Sequence, residues 1–240
     1  MSDPKRIITV RPSFCRPEAY AVFAAQMETV DHTRAALVRA ATAIAMHELP
    51  GTNLPEVERQ LADLAGKVKR RLHTDEPQAV LAHLHDVLFE DEDFVGNEQD
   101  YYNPDNSYLP RVLATRRGLP ITLSLIYVCV AGEVGLTAMG VNMPGHFLAR
   151  VETDQGPLII DPFERGRMLT REEAVEKIAG IVGQPLEPRE ELFAAVTHRV
   201  WLARMLNNLH AVFGRAGRED DMKAMHELRR LLSWDGRGRV

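Results

Sequence analysis

The first hundred residues carry the hydrophobic spacing of α-helices. Alanines and larger apolar residues dominate residues 17–49, and the run Pro50-Gly51-Thr52-Asn53 then interrupts them. Hydrophobic residues afterwards recur every three or four positions in two stripes: Val57, Leu61, Leu64, Val68 and Leu72, then Val80, Leu81, Leu84, Val87 and Leu88. This spacing gives each segment one apolar face, which is typical of amphipathic helices. We predict a helical N-terminal region over residues 1–105.

Two further helices are predicted at the centre of the chain. Asn106 can cap the first, which we expect to begin at Ser107 and to end at Gly118. Pro120 suits the first turn of the second helix, and Gly135 closes it. The residues between Pro120 and Gly135 are apolar around almost the whole helix. A helix with so little polar surface is expected to be central and buried.

The period of the hydrophobic pattern then falls to two residues. Residues 146–151 alternate between two faces, and the run Asp154-Gln155-Gly156 is a turn signal before a second apolar run at 158–160. We predict an antiparallel hairpin here, and residues 139–143 also look extended. Thr170 and Glu173 form a capping box for another helix. Helices near 192–213 and 219–233 complete a helical hairpin, so the predicted fold class is α+β.

Composition and charge narrow the classes of function. The chain has 240 residues, is 45% hydrophobic and carries a formal net charge of -5. This acidic balance argues against general nucleic-acid binding, which needs a basic face. The longest apolar stretch is too short to cross a membrane, and the N-terminus has no apolar run of signal-peptide length. The two isolated cysteines indicate reduced thiols, and we expect a cytoplasmic protein.

His146 and Asp161 are the first candidates for chemistry. If the two predicted strands pair through the turn at Gly156, these side chains face each other across the ladder. A carboxylate beside an imidazole fixes its tautomer and raises its basicity, as a general base requires. The alternative is a purely structural His–Asp hydrogen bond. Because a third ligand at useful spacing is missing, we predict no metal, and no phosphate-loop or dinucleotide motif indicates a cofactor.

A nucleophile would be expected at the start of the central helix, where unpaired N–H groups lower the pKa of a thiol. Pro120 occupies that start and has no reactive group. Thr122 and Ser124 lie nearby, and each is more typical of a helix start or of packing than of a nucleophile. Cys129 lies nine residues beyond Pro120, about 13 Å further along the helix. We therefore assign Cys129 to the core, and Cys15 to a structural or peripheral role.

Four blocks of sequence, in this order, resemble the SirB family of bacterial proteins. The blocks are Asn106-Ser107-Tyr108-Leu109, the run RRGLPITLS over residues 116–124, Pro144-Gly145-His146-Phe147 and Ile160-Asp161-Pro162-Phe163. The resemblance implies a transglutaminase-like, papain-like core over residues 106–184, with a central helix on an antiparallel sheet. It also implies a tetratricopeptide-type helical hairpin over residues 185–240.

The same resemblance implies roles for three residues. The superfamily uses a Cys-His-Asp triad for acyl transfer or amide hydrolysis, and its cysteine opens the central helix. His146 matches the histidine and Asp161 the aspartate, whereas Pro120 stands where the cysteine belongs. The SirB-like subgroup generally lacks that cysteine, so the resemblance argues against thiol catalysis here.

Three hypotheses follow. The first is a noncatalytic binding or regulatory protein whose cleft takes a protein or peptide partner. The second is a hydrolase or acyl transferase with altered chemistry, in which His146 acts as base and Asp161 orients it. The third is a helical-repeat adaptor that uses the apolar face of the final hairpin, although we expect that face to pack on the core. Candidate ligand-binding residues around the cleft are Asn106, Arg116, Arg117, Thr122 and Ser124.

Overall fold

The computed structural model describes residues 11–233, and its first half is helical. The helices are α1 (Pro17–Gln26), α2 (Arg34–Met46), α3 (Leu54–Lys69) and α4 (Pro77–His85), and α4 continues into a π-helical segment at Asp86–Asp91. Thr33 and Asn53 cap α2 and α3, each accepting a hydrogen bond from a backbone N–H three residues later. The helical prediction for this region is confirmed within the described residues.

The central part of the chain is built around one buried helix. A 3-10 turn at Pro104–Ser107 leads into α5 (Leu109–Thr115), and α6 (Pro120–Glu133) follows. Two short strands pair in parallel here: β1 (Val95–Gly96) precedes the 3-10 turn, and β2 (Arg117–Gly118) lies between α5 and α6. Every residue of α6 from Pro120 to Ala131 is buried, as its apolar sequence predicts.

A four-stranded antiparallel sheet covers one side of α6. Its strands are β3 (Ala138–Met143), β4 (His146–Val151), β5 (Leu158–Asp161) and β6 (Arg167–Leu169), in that spatial order. Helix α7 (Arg171–Val182) follows β6 with the predicted capping box at Thr170 and Glu173. The hairpin of β4 and β5 is confirmed, and the sheet with its surrounding helices confirms the α+β class. Strand β6 was not predicted, because three residues carry too little alternation to be detected.

Two long helices complete the described chain. They are α8 (His198–Arg215) and α9 (Glu219–Leu232), and α8 lies against α2, α6 and the 3-10 turn before α5. The apolar face of α8 is at most 1% exposed; it comprises Trp201, Leu202, Met205, Leu206 and Leu209. Trp201 packs on Phe147 with ring centroids 4.6 Å apart, and its Nε1 donates to the carbonyl of Ile121. This face packs on the chain's own core, so the hypothesis of an adaptor that binds partners with it is wrong.

The predicted cap at Asn106 is also wrong. Pro104 starts a separate 3-10 turn, so α5 begins only at Leu109 and Tyr108 takes the cap position without a side-chain bond. The amide of Asn106 instead donates to the carbonyls of Asp100 and Tyr101. Asn106 therefore holds the preceding loop together.

The end of α5 also differs from the prediction. The helix ends at Thr115, because the next residue, Arg116, adopts the left-handed conformation with φ +62°; it does not continue to Gly118. Gly118 lies in β2, where a Cβ atom would stand 2.8 Å from the side chain of Val112. The glycine is needed here for close packing and not for a helix end.

Within residues 11–233, no helix has the length and apolar character needed to cross a membrane.

Candidate active site

A cleft of about 140 Å³ opens where the start of α6, the β3–β4 turn and α8 meet. We call it the His146 cleft. Its lining residues are Tyr101, Tyr102, Leu119, Pro120, Ile121, Gly145, His146, Phe147, Arg204, Asn208, Ala211, Val212 and Arg215. The start of the central helix and His146 therefore share one cavity.

The turn before His146 sets the position of this residue at the start of β4. Met143 and His146 pair in the β3–β4 ladder, which leaves Pro144 and Gly145 as a two-residue turn. Gly145 has φ +71°, a conformation that glycine adopts without steric cost. A side chain at this position would also stand 2.8 Å from Ile181. The glycine therefore permits the tight turn that places His146 directly after it, on the wall of the cleft.

His146 and Asp161 are in direct contact. The Nε2 atom of His146 lies 2.8 Å from Oδ2 of Asp161, and both residues are buried. The predicted pairing directly across the ladder is wrong in register. Ala149 pairs with Ile160, so Leu148 lies opposite Asp161 in the extended register, and His146 reaches it diagonally. Diagonal neighbours on one sheet face are within reach of a long side chain.

Asp161 is held in its ionised form by three donors. The Nζ of Lys177 and Nε2 of His146 both contact Oδ2, and the backbone N–H of Phe163 donates to Oδ1 at 3.0 Å. Burial alone would raise the pKa of Asp161, but the hydrogen bonds and charges of His146 and Lys177 outweigh it and hold that pKa below its usual range. A charged carboxylate is thus kept next to the imidazole.

Lys177 is a site residue that the sequence analysis missed. It lies on α7, and its Nζ also contacts Glu164 at 2.7 Å. No spacing pattern joins a polar position of α7 to the end of β5, since the two meet only through the folded sheet. The one available signal was the capping box at Thr170, which predicted α7 but not the contact between Lys177 and Asp161.

The imidazole of His146 is oriented by its surroundings. Its Nε2 is engaged by Asp161, and the ring of Phe163 stands edge-on at a centroid distance of 5.9 Å. The side-chain hydrogen bond of His146 among residues 11–233 uses Nε2, and the other ring nitrogen, Nδ1, makes none with a protein group. A carboxylate on one nitrogen and a free position on the other is the arrangement of a general base or of a hydrogen-bonding group for a ligand.

Pro120 lies at the first turn of α6 and lines the same cleft as His146. Thr122 and Ser124, which were predicted to bind ligand, do not line this cleft. Both are fully buried, and the hydroxyl of Ser124 is 3.4 Å from the carbonyl of Phe147. The hydroxyl of Thr122 has no partner among residues 11–233. Thr122 lies about half a turn around the helix from Pro120, and Ser124 lies about one turn further along it, so both side chains are in the core.

The two cysteines lie outside the cleft. Cys129 is buried on α6, and burial raises the pKa of its thiol to about 12. Cys15 is also buried, and burial together with the charge of Glu227 raises its pKa to about 12. Thiols with such a pKa stay protonated near neutral pH and are poor nucleophiles. Cys15 belongs to the core and is not peripheral.

The other predicted ligand-binding residues also lie elsewhere. Arg116 binds Glu92 through Nη2 at 2.7 Å, and its guanidinium lies over the ring of Phe94. Arg117 pairs with Asp93 at 3.0 Å on the surface. Asn106 bonds to the loop before α5, as described above. None of these three lines the His146 cleft. Because β2 runs along β1, Arg117 in β2 and Arg116 just before it lie beside Asp93 and Glu92.

Helix α8 supplies the polar residues that the sequence analysis missed. Arg204, Asn208, Ala211 and Arg215 line the cleft at intervals of four, three and four residues, which is the spacing of one helix face. This signal was present in the sequence. The apolar face of the same helix is the stronger pattern, and it indicates packing. Among residues 11–233, no group of three His, Cys, Asp or Glu side chains is placed to hold a metal ion.

Comparison with known proteins gives a consistent family relationship. A family model described as the transglutaminase-like superfamily matches residues 55–207. A UPF0162 protein of Xylella fastidiosa is 39% identical over 144 residues, which cover 58% of this chain and 51% of the relative. A UPF0162 protein of Pseudomonas aeruginosa is 29% identical over 207 residues, covering 82% and 71%.

A human relative is also found. F-box only protein 21 of Homo sapiens is 31% identical over 175 residues, which cover 70% of this chain and 27% of that protein. The chain spans about half the length of the Xylella relatives and a smaller part of the F-box protein. No solved structure matches the chain.

Proposed function

Since the chain belongs to the transglutaminase-like superfamily, we propose that it is a binding or regulatory protein that holds a peptide segment in the His146 cleft without cutting it. The proposal assigns the position of the superfamily's cysteine to Pro120. His146 and Asp161 are then the two other members of the former triad.

One observation carries this proposal: the cleft beside His146 has no thiol or aliphatic hydroxyl to serve as the nucleophile of an acyl transfer. Its lining set includes no cysteine, serine or threonine among the described residues. Pro120 stands at the helix start, where a thiolate would be stabilised by the helix dipole. Both described cysteines are buried, with the pKa of each thiol raised to about 12.

Narrower assignments belong to the same proposal. Membership of the SirB family rests on the four sequence blocks, and the tetratricopeptide-type character of the final hairpin rests on α8 and α9. A cytoplasmic location rests on the reduced thiols expected for Cys15 and Cys129.

The alternative is a hydrolase or acyl transferase with altered chemistry. The His146–Asp161 contact favours it, because Nδ1 of His146 is left free to take a proton from water in the cleft. General-base catalysis alone accelerates a reaction about 10²–10⁴-fold. Turnover would therefore be slow, but it would depend on His146.

The first experiment measures binding and cutting together. A display library of random peptides is selected on the full chain, and the masses of the bound peptides are measured after long incubation. We expect intact peptides, and we expect Ala211→Trp to abolish the selection because it fills the cleft from an exposed position on α8. His210→Trp is the matched control, since His210 is also exposed on α8 but lies outside this cleft.

Cleaved peptides that disappear with His146→Ala would overturn the binding proposal in favour of the hydrolase. The assay is repeated with amide, ester and thioester substrates, for which we expect no difference between the wild type and His146→Ala. Selection that is unaffected by Ala211→Trp would show that the peptide binds elsewhere.

A second experiment tests the role assigned to Pro120. Pro120→Cys places a thiol at the helix start, and we expect His146 to activate it. Its reaction with iodoacetamide near neutral pH should be about tenfold faster than in Pro120→Cys/His146→Ala. The natural cysteines provide a low background because their thiols stay protonated. Equal rates in the two variants would place the former nucleophile somewhere other than residue 120.

A further inference from the structure

The His146 cleft has an uneven charge. Its lining set contains two arginines, Arg204 and Arg215, and no aspartate or glutamate. The chain as a whole has a formal net charge of -5, so the positive character is local to the cleft. Nucleic acid would need a broad basic surface, whereas two guanidinium groups on the wall of one small cleft suit a small anionic group.

Arg204 is a half-buried cation with neutral partners. Its Nη1 donates to Oδ1 of Asn142 at 2.9 Å, and no carboxylate lies within ion-pair distance of it among residues 11–233. Burial lowers the pKa of Arg204, which records that its charge is poorly solvated. A buried charge without a counter-charge is costly to keep, and an anionic ligand would relieve that cost.

Arg215 is positioned by an aromatic ring. Its guanidinium lies over the ring of Tyr102 at 3.8 Å, and it too has no carboxylate partner among the described residues. Tyr102 is 57% exposed at the rim of the cleft, an unusual position for a large aromatic side chain. Stacking occupies one flat face of the guanidinium and leaves N–H donors at its edge for an acceptor in the cleft.

The start of α6 adds a third positive contribution. Leu119, Pro120 and Ile121 line the cleft, so the N-terminal end of this 14-residue helix faces it. The N-terminus of a helix carries a positive partial charge. The two arginines and the helix end therefore act with the same sign on one small volume.

We propose that the His146 cleft recognises a carboxylate group on its peptide ligand, and that Arg204 and Arg215 supply the positive charge that attracts it. This inference rests on the proposed function and adds the chemistry of the ligand to it. The carboxylate is either the C-terminus of a peptide or the side chain of an aspartate or glutamate. Tyr101 and Tyr102 then contact the apolar part of the peptide beside it.

The test uses three synthetic pentapeptides that differ only in their carboxylates. One is neutral with an acetylated and an amidated end, the second has a free C-terminus, and the third replaces one glutamine of the neutral peptide by glutamate. Affinities are measured by NMR titration of the full chain. We expect both carboxylate peptides to bind about tenfold more tightly than the neutral one. The tighter of the two identifies the source of the carboxylate.

Charge variants then connect that preference to the two arginines. Arg204→Gln and Arg215→Gln should each reduce the preference for carboxylate about fivefold or more, and Arg204→Lys should fall between Arg204→Gln and the wild type because it keeps charge without the fork. Arg229→Gln, which removes an exposed arginine outside the cleft, is the matched control and should change nothing. Thermal melting of each variant confirms folding, and Arg215→Gln keeps the test valid if Arg204→Gln is unstable.

Equal binding of the three peptides, or no binding by any of them, would overturn the inference. So would a carboxylate preference that survives both arginine variants. These outcomes do not decide the proposed function, which has its own test. If the library selects intact peptides that lack acidic residues, binding in the cleft is supported and only the carboxylate preference is contradicted. Cleavage of library peptides would instead contradict the proposed function itself.

Discussion

Two pairs of arginines in this protein are used in opposite ways. Arg116 and Arg117 are adjacent in sequence, and each has a carboxylate partner on the segment just before β1. Arg204 and Arg215 are eleven residues apart, share one face of α8 and have no carboxylate partner among residues 11–233. The first pair fastens two segments of the chain together, and the second leaves positive charge facing a cleft.

The difference shows how a binding residue can be separated from a structural one. A charge that the fold already neutralises has little left to offer a ligand, however prominent it is in the sequence. A charge with only neutral neighbours keeps its full attraction for an anion. Asp161 is the most fully neutralised of these charges, since His146, Lys177 and the backbone N–H of Phe163 all contact its carboxylate.

Asp161→Ala should give the largest effect on stability. The change leaves His146 and the N–H of Phe163 without an acceptor in a buried position and removes one partner of Lys177. Breaking a buried pair in this way costs about 3–5 kcal/mol, and we expect a loss near 3 kcal/mol in the free energy of unfolding, measured with urea. Asp93→Ala is the control, because two arginines also contact this carboxylate but on the surface. Similar losses in both variants would contradict the distinction.

Arg116→Ala should give the next largest effect. Its partner Glu92 has a side chain only 10% exposed, and Lys67 would be the one cation left beside it. The stacking on Phe94 is lost as well. We expect a loss of about 1–2 kcal/mol in the free energy of unfolding. Arg215→Ala should cost less than about 0.5 kcal/mol, since it removes an exposed side chain that no carboxylate holds. The opposite order would mean that Arg215 is a structural residue.

Most of the fold could be predicted from local sequence patterns. Helix α6 was identified from its apolar surface, the β4–β5 hairpin from alternation around Gly156, and α7 from the capping box at Thr170. Each of these signals lies within the element that it specifies. The predictions failed where one residue is controlled by another segment, as at Asn106, whose amide is bonded to a loop that the helix-cap pattern ignores.

The candidate site could be predicted only in part. The pairing of His146 with Asp161 followed from one turn, because the two residues are fifteen positions apart. The wall formed by Arg204 and Arg215 comes from a helix about sixty residues later, and only packing brings it to His146. Adjacent arginines at the start of the family-like block were a stronger signal in the sequence, but the fold directs them to Glu92 and Asp93.

Acid should reduce the stability that Asp161 contributes and leave the contributions of Arg204 and Arg215 unchanged. The pKa of Asp161 in the folded chain lies below its ordinary value of 3.8, because His146 and Lys177 outweigh the effect of burial. A lowered pKa gives stability that is present above 3.8 and is lost as pH falls through the folded value. We therefore expect Asp161→Asn to lose less stability than the wild type between about pH 5 and pH 2 in urea titrations.

Arginine variants provide the control for this pH dependence. Arg204→Gln and Arg215→Gln should follow the wild-type curve in parallel, since a guanidinium stays protonated throughout the acid range. An Asp161→Asn curve parallel to the wild type would mean that Asp161 is not the carboxylate responsible.

Arg117→Ala should give the smallest effect. Arg117 and Asp93 are 45% and 56% exposed, and Arg165 also contacts Asp93, so the carboxylate keeps a partner when Arg117 is removed. Exposed ion pairs gain little over hydration and are screened by salt. We expect no resolvable change in the urea midpoint, at low or high salt, beside the clear loss in Arg116→Ala. A loss as large as that of Arg116→Ala would show that adjacency in sequence, and not burial of the partner, decides which arginines stabilise this fold.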